Sequence, residues 1–410
     1  MNQKSIINHI NSSSSIFNVS DKVKFDESVT KLEYHSHTPY ASQTYNYNDE
    51  IRISVNQQDI YTLPSKSFLL IEGNIDVKKA DDTKTDYSLI NNGVAHLFDE
   101  IRYELGGVEV DRTRNVGITT TMKNLLSQSA LNEKVMENAG WKLQGWKNLE
   151  KFSFCIPLEM WLGIMEDYKK VILNVRQELV LLRSSSDKNS IQSTTAGKVK
   201  IDITKIQWRV PYIHVSDSIR IDLLNLSHND KGIVIPFRSW QLHEFPSLPE
   251  ATTQQWTVKT ASQMEKPRFI ILGFQRDKKN SIAENMSNFD FCKLNNIRLY
   301  LNAQYFPYDS IMGNKHLLYH MFSDFQHSYY PHRQHDSYTS IDYDTFDKYT
   351  PLIVIDCSRQ NELLKSGAID VKLTFDSTEN FKPKTTAYCL ILYDNIYEYT
   401  PLSGMVRKVM

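Results

Sequence analysis

Few residues in this sequence have types and spacing that could do chemistry. His316 and His320 stand four apart, which sets two imidazoles on one face of a helix. Zinc proteases place a glutamate between such a pair as general base, but here Leu317, Leu318 and Tyr319 fill the gap. His35 and His37 would point the same way on a strand. A cupin-type metal site would complete them from a later strand, with His96 and Glu104 as candidates that no spacing favours. His327, His332 and His335 lie in a Tyr-rich stretch and read as interface or solvent residues able to titrate near neutral pH. Acid pairs such as Asp81-Asp82 and Asp99-Glu100 arise by chance among 48 acidic residues, and they read as solvated face. No GxGxxG, P-loop, GxSxG or HExxH pattern occurs. Cys155, Cys292, Cys357 and Cys389 form no CxxC pair and read as buried free thiols. The sequence therefore predicts no catalytic residue, no metal and no cofactor.

Charge points the same way. The 410 residues carry 47 basic and 48 acidic side chains, a formal net charge of −1. A protein that grips a nucleic-acid backbone shows a positive excess or a basic patch. Arg112 with Arg114, and Arg407 with Lys408, are too small to be one, so no sequence-specific nucleic-acid binding is expected. The opening MNQKSIINHINSSSS has no long apolar run, and no window approaches about 20 continuous apolar residues. Neither a secretory leader nor a membrane span is expected. The sequons at Asn11, Asn18, Asn225 and Asn285 are then expected to stay bare, in a reducing intracellular compartment.

The elements that must position these residues are mostly strands. In FLLIEGNIDVKK, Ile71, Ile75 and Val77 alternate with polar residues, the period of a half-buried strand. Ile101, Tyr103 and Leu105 repeat it, and Gly106-Gly107 turns the chain into Val108 and Val110 as a hairpin. ITTTMKNLLSQSALNEKVMENAG reads as helical, closed by Gly140. SDSIRIDLLNLSHND reads as a short helix, and 310–323 as partly helical. AIDVKLTFD alternates without error. Strands fall in two sets with short helices inserted and no βαβ rhythm, so the fold class is all-β, built of sandwiches. In KVKIDITKIQWRV the apolar set Val199, Ile201, Ile203 shifts by one residue to Ile206, Trp208, Val210. Such a shift fits a hinge between domains or a bulge within one sheet. The domain boundary is drawn here: 1–50 an N-terminal arm ordered in part by neighbours, 51–204 a first sandwich, and 205–410 a second. The second carries a long Tyr- and His-rich loop at 309–348.

FDEIRYELGGVEVDRTRNVG, residues 98–117, resembles the first jelly roll of the double jelly-roll major capsid proteins of DNA viruses. The resemblance points to the Polinton/Maverick and adintovirus-like group, within the wider adenovirus, tectivirus and large DNA virus lineage. Ile101, Glu104, Gly106, Gly107 and Asp111 match that family's pattern. IPFRSWQLHEFP, TVKTASQMEKPRFIILGFQ, NNIRLYLNAQYFPYD, PLIVIDCSRQ, IDVKLTFD and AYCLILYDNIYEYTPLSG resemble strands of the second roll, in the expected order. The resemblance covers most of residues 60–406. It implies two consecutive jelly rolls, a pseudo-hexagonal homotrimer and an icosahedral shell completed by penton and minor capsid proteins. It places the chain in a virion assembled inside a host cell. It makes 184–197 and 309–348 candidates for towers or contacts. Tyr329, Tyr330, Tyr338 and Tyr343 are expected between subunits, with core filling as the alternative. A host-domesticated capsid-like protein is the nearest alternative function. A glycan-binding module or an enzyme on a β-sandwich would show an aromatic platform, a calcium carboxylate cluster or a metal triad.

Overall fold

The computed structural model describes residues 28–40, 44–56, 61–228, 232–259, 266–302, 304–306, 314–330, 339–359 and 369–409. Sixteen strands among them form two rolls. The first roll uses β1 (Val29–His37), β2 (Glu50–Val55), β3 (Phe68–Lys78), β4 (Phe98–Leu105), β5 (Val108–Arg114), β6 (Lys151–Pro157), β7 (Gln177–Arg183) and β8 (Lys198–Val215). The second uses β9 (Ile233–Phe245), β10 (Thr253–Lys259), β11 (Pro267–Arg276), β12 (Leu294–Leu301), β13 (Gln304–Phe306), β14 (Ile353–Asp356), β15 (Val371–Ser377) and β16 (Thr385–Tyr399). The first roll's sheets run β1-β8-β3-β6 and β2-β7-β4-β5. Those of the second run β9-β16-β11-β14 and β10-β15-β12-β13. Adding eight to each strand of the first roll gives the second, so the same jelly-roll winding occurs twice.

Alternation builds both cores. Leu69, Ile71, Ile75 and Val77 of β3 are buried, as are Ile101, Tyr103 and Leu105 of β4. Tyr103 meets the Trp208 ring edge-on at 6.2 Å. The register shift in β8 is resolved as a bulge. Ile203 pairs with Gly73 and Lys205 with Glu72, leaving Thr204 as the extra residue. Ile201 and Ile203 before it, and Ile206, Trp208 and Val210 after it, are thereby all buried.

Two boundaries move in consequence. Strand β8 runs unbroken from 198 to 215 through the first roll, so the cut at 204/205 falls inside a strand. The link between rolls is instead the helix at Asp217–His228. Residues 29–37, assigned to the arm, are the edge strand β1, paired with β8 from Val29↔Val215 to His37↔Trp208. An edge strand with both faces partly in solvent carries no clean apolar alternation, which hid it in the sequence.

The helices inserted between strands include α1 (Val116–Ser127), α2 (Gly163–Asp167), α3 (Asp217–His228), α4 (Lys315–Tyr329) and α5 (Tyr343–Tyr349). Every residue of α1 is buried. Within 309–348, α4 starts at an Asn314 cap and buries Leu318, Phe322, Phe325 and Tyr329, so much of this stretch is core rather than tower. The segment 184–197 also folds back: buried Asp187 accepts from the Ile201 N–H at 2.8 Å and pairs with Arg183.

Candidate functional site

A largely buried cluster of charged side chains lies where the rolls meet. It begins at Asp111 on β5. One Asp111 oxygen accepts the Ile164 N–H at 3.0 Å, and the other accepts the Arg112 N–H at 3.0 Å. Thr113 donates to the Trp161 carbonyl at 2.7 Å. These bonds fix the start of α2. Gly163 opens that helix, and a Cβ there would lie 1.7 Å from the Arg238 carbonyl oxygen. Only glycine lets the β9 backbone come so close.

Helix α2 then presents two carboxylates to the second roll. Asp167 accepts from the Arg238 backbone N–H and Nε, both at 2.8 Å, and from a second guanidinium nitrogen at 2.5 Å. Glu166 accepts from Tyr329 at 2.8 Å and Tyr330 at 2.5 Å, both at the end of α4. Lys123 of α1 pairs with Glu166 at 2.8 Å and also donates to the Glu159 carbonyl. Arg238 lies over the Tyr329 ring at 3.7 Å and donates to the Tyr329 carbonyl at 2.8 Å. Gln326 of α4 donates to the Gln128 carbonyl at 2.8 Å, a further bond between the rolls.

The electrostatics are those of a clamp. Burial by itself would raise the Glu166 carboxyl, but the Lys123 ammonium, the Tyr330 hydroxyl and Arg238 hold it below its ordinary value. Burial opposes the Arg238 charge, yet the Asp167 bonds raise its pKa further. Tyr329 is pushed well above the usual phenol range by burial and by Glu166. Asp111 is pushed up to about 6 by burial, against the pull of the Ile164 N–H and Lys123. A cleft of about 450 Å³ opens beside the cluster, lined in part by Lys123, Glu166, Arg238 and Tyr330. Asp167 is matched by Arg238 and Glu166 by Lys123. Stripping one partner from such a buried pair costs about 3–5 kcal/mol, so the arrangement ties one roll to the other.

The residues picked from sequence scatter around this joint. Ile101 is fully buried core. Glu104 lies on the outer face of its sheet, 3.0 Å from Arg102 and 3.9 Å from Arg52. Gly106 and Gly107 have φ of 56° and 83°, the left-handed pair that a two-residue hairpin turn requires. Asp111 is the one motif residue inside the clamp. Tyr329 is only 2% exposed and packs within its own chain, the surroundings that the core-filling alternative describes. Tyr330 and Tyr343 keep part of their surface, and Tyr343 stacks on His316 at 4.3 Å. Tyr338, His332 and His335 lie outside the described residues.

The other histidines have structural surroundings. His35 stacks on Tyr212 at 4.1 Å, and His37 shares a 2.9 Å hydrogen bond with the same tyrosine. His96 is buried against Gly117 and pushed down to about 3 by that burial, so it is neutral. Among the described residues no group of three or more His, Cys, Asp or Glu side chains is arranged to hold a metal ion. Cys357 and Cys389 are buried, while Cys155 and Cys292 are partly so, and all four are free thiols. Sequence reasoning missed Lys123, Glu166, Asp167 and Arg238. A lysine within the otherwise uncharged TTTMKNLL, and an acid pair just after Gly163, were the available signals.

A family profile described as a double jelly roll-like domain matches residues 87–397. No curated protein sequence matches the chain. Among solved structures, a chain from the Sputnik virophage superposes with a TM-score of 0.66 at 9% identity, covering 95% of this chain and 91% of that one. The Faustovirus major capsid protein gives 0.59 at 9% identity, covering 96% and 97%. The mavirus major capsid protein gives 0.57 at 10% identity, covering 96% and 93%. At these identities the likeness is one of fold.

Proposed function

We infer a function from one premise: this chain belongs to the double jelly roll-like domain family. The reading is a major capsid protein of a virion, not an enzyme. Its chains associate as homotrimers of pseudo-hexagonal outline, and the trimers tile an icosahedral shell. The observation that carries this is the repeat of one eight-strand winding in both halves, with a likeness to viral capsid chains that runs nearly their whole length. Three chains with two similar rolls each present six similar walls, which closed symmetry can pack edge to edge. A constant outline needs the two rolls held at one angle. The Asp167–Arg238 and Glu166–Tyr329 contacts support that requirement.

Tyr330 and Tyr343 are the aromatic candidates for subunit contacts, and Tyr338 remains a third. Penton and minor capsid proteins are the expected further partners, and the Polinton/Maverick and adintovirus-like group the expected lineage. Light scattering of the purified full chain, with electron microscopy of the same peak, tests the reading. Three 47.7 kDa chains make a particle of about 143 kDa with a hexagonal outline. A species that stays at 47.7 kDa at micromolar concentration would overturn it.

A further inference from the structure

The two glycines that turn β4 into β5 have different surroundings. Both sit in the left-handed region, Gly106 at φ 56° and Gly107 at φ 83°. A Cβ on Gly107 would meet nothing within 4 Å. A Cβ on Gly106 would lie 2.7 Å from the Gly404 carbonyl oxygen and 3.4 Å from Val406 Cγ2. The turn explains a glycine at both positions, but only Gly106 also admits a backbone from the second roll.

The segment it admits is held in shape by its own hydrogen bonds. Beyond β16 the Gly404 N–H donates to the Thr400 carbonyl at 2.9 Å, and the Thr400 N–H to the Met405 carbonyl at 3.0 Å. The short strand Val406–Lys408 then pairs with β16, Val406 opposite Tyr399 and Lys408 opposite Tyr397. Arg407 meets Glu398 across this ladder at 2.6 Å. The same hairpin reaches the first roll a second time: the hydroxyl of buried Tyr399 accepts the Leu173 N–H at 3.2 Å. On the first-roll side, the Gly106 N–H donates to the Arg176 carbonyl at 2.8 Å, which fixes the turn beside the start of β7.

These contacts share no residue with the clamp. Asp111 anchors the clamp further along β5, on the order of 15 Å from Gly106 at the rise of an extended strand. One contact between two bodies leaves a pivot, whereas two contacts that far apart resist rotation. We propose that the hairpin at 397–408 is a strap that seats on the Gly106 turn and, with the clamp, fixes the angle between the rolls. Gly106 is the positioning residue of that seat, and Gly107 serves the turn alone. The strap is built from contacts within one chain and holds whatever that chain assembles into.

Full-length Gly106→Ala and Gly107→Ala provide the test. Each puts a Cβ on a left-handed residue, so each strains the turn. Only Gly106→Ala also drives that Cβ into the Gly404 carbonyl. Amide exchange over 396–409, read by mass spectrometry, should rise about tenfold or more in Gly106→Ala and stay within about twofold of the unaltered chain in Gly107→Ala. Exchange in β3, within the first roll, should stay unchanged in both. Equal exchange over 396–409 in the two variants overturns the proposal. A second variant, Val406→Ser, keeps both glycines and cuts back the strap side chain beside Gly106. Exchange over 104–108, in the other roll, should then rise about threefold or more. Unaltered exchange there again overturns the strap.

Discussion

Asp111 shows how one side chain serves two levels of structure. As part of the hairpin motif it was legible in the sequence. Its task, holding the N–H of Ile164, depends on a segment some fifty residues later and was not legible. Its pKa also gives the joint a pH dependence with a definite sign. The folded value is raised to about 6 from an ordinary 3.8, so the folded state binds this proton more tightly than the unfolded chain. The contribution is fully present below pH 3.8 and is lost as pH rises through about 6. Its size is on the order of 3 kcal/mol. Urea denaturation of the protein and of Asp111→Asn from pH 4 to 7 checks this. The unaltered protein should lose stability relative to the variant across that range; a constant difference between the two would refute it.

At the scale of the element, the bulge in β8 makes a paired prediction. Thr204 is the extra residue, so its deletion restores a regular ladder and leaves Ile206, Trp208 and Val210 facing the core. Deleting Gln207, three residues on, keeps the bulge and turns Trp208, Val210 and Tyr212 to the wrong face. The first deletion should give a folded protein with Trp208 fluorescence still shielded from solvent. The second should not fold, because each large side chain moved from core to water forfeits about 1.5–3 kcal/mol. Equal behaviour of the two chains in expression and fluorescence would contradict the register. Elements with one buried face, such as β3, β4 and β15, could be read directly from their alternation. Strand β1 could not, and neither could the packing of α4, whose Tyr-rich sequence suits a core and a subunit contact equally well.

For the whole molecule, the clamp makes two similar rolls into one body. Arg238→Met leaves Asp167 without its counter-charge in a partly buried site, a loss of about 3–5 kcal/mol. Scanning calorimetry should show a single transition for the unaltered chain and a lowered or split one for the variant, as the rolls unfold separately. A variant with an unchanged single peak would show that other contacts couple the rolls.

The sequence by itself determined the all-β class, the presence of two strand sets, the Gly106-Gly107 hairpin and the resemblance to double jelly-roll capsid chains. Those features are local: a period of two, a left-handed turn and short motifs survive in one dimension. Tertiary structure alone decided where the first roll ends, that β1 belongs to it, and that Tyr329 packs within its own chain. It also assembled Lys123, Glu166, Asp167 and Arg238 from three separate stretches into one joint. A bulge is told from a hinge only by the strand lying opposite. A buried charge is recognised only once its partner, far along the chain, is beside it.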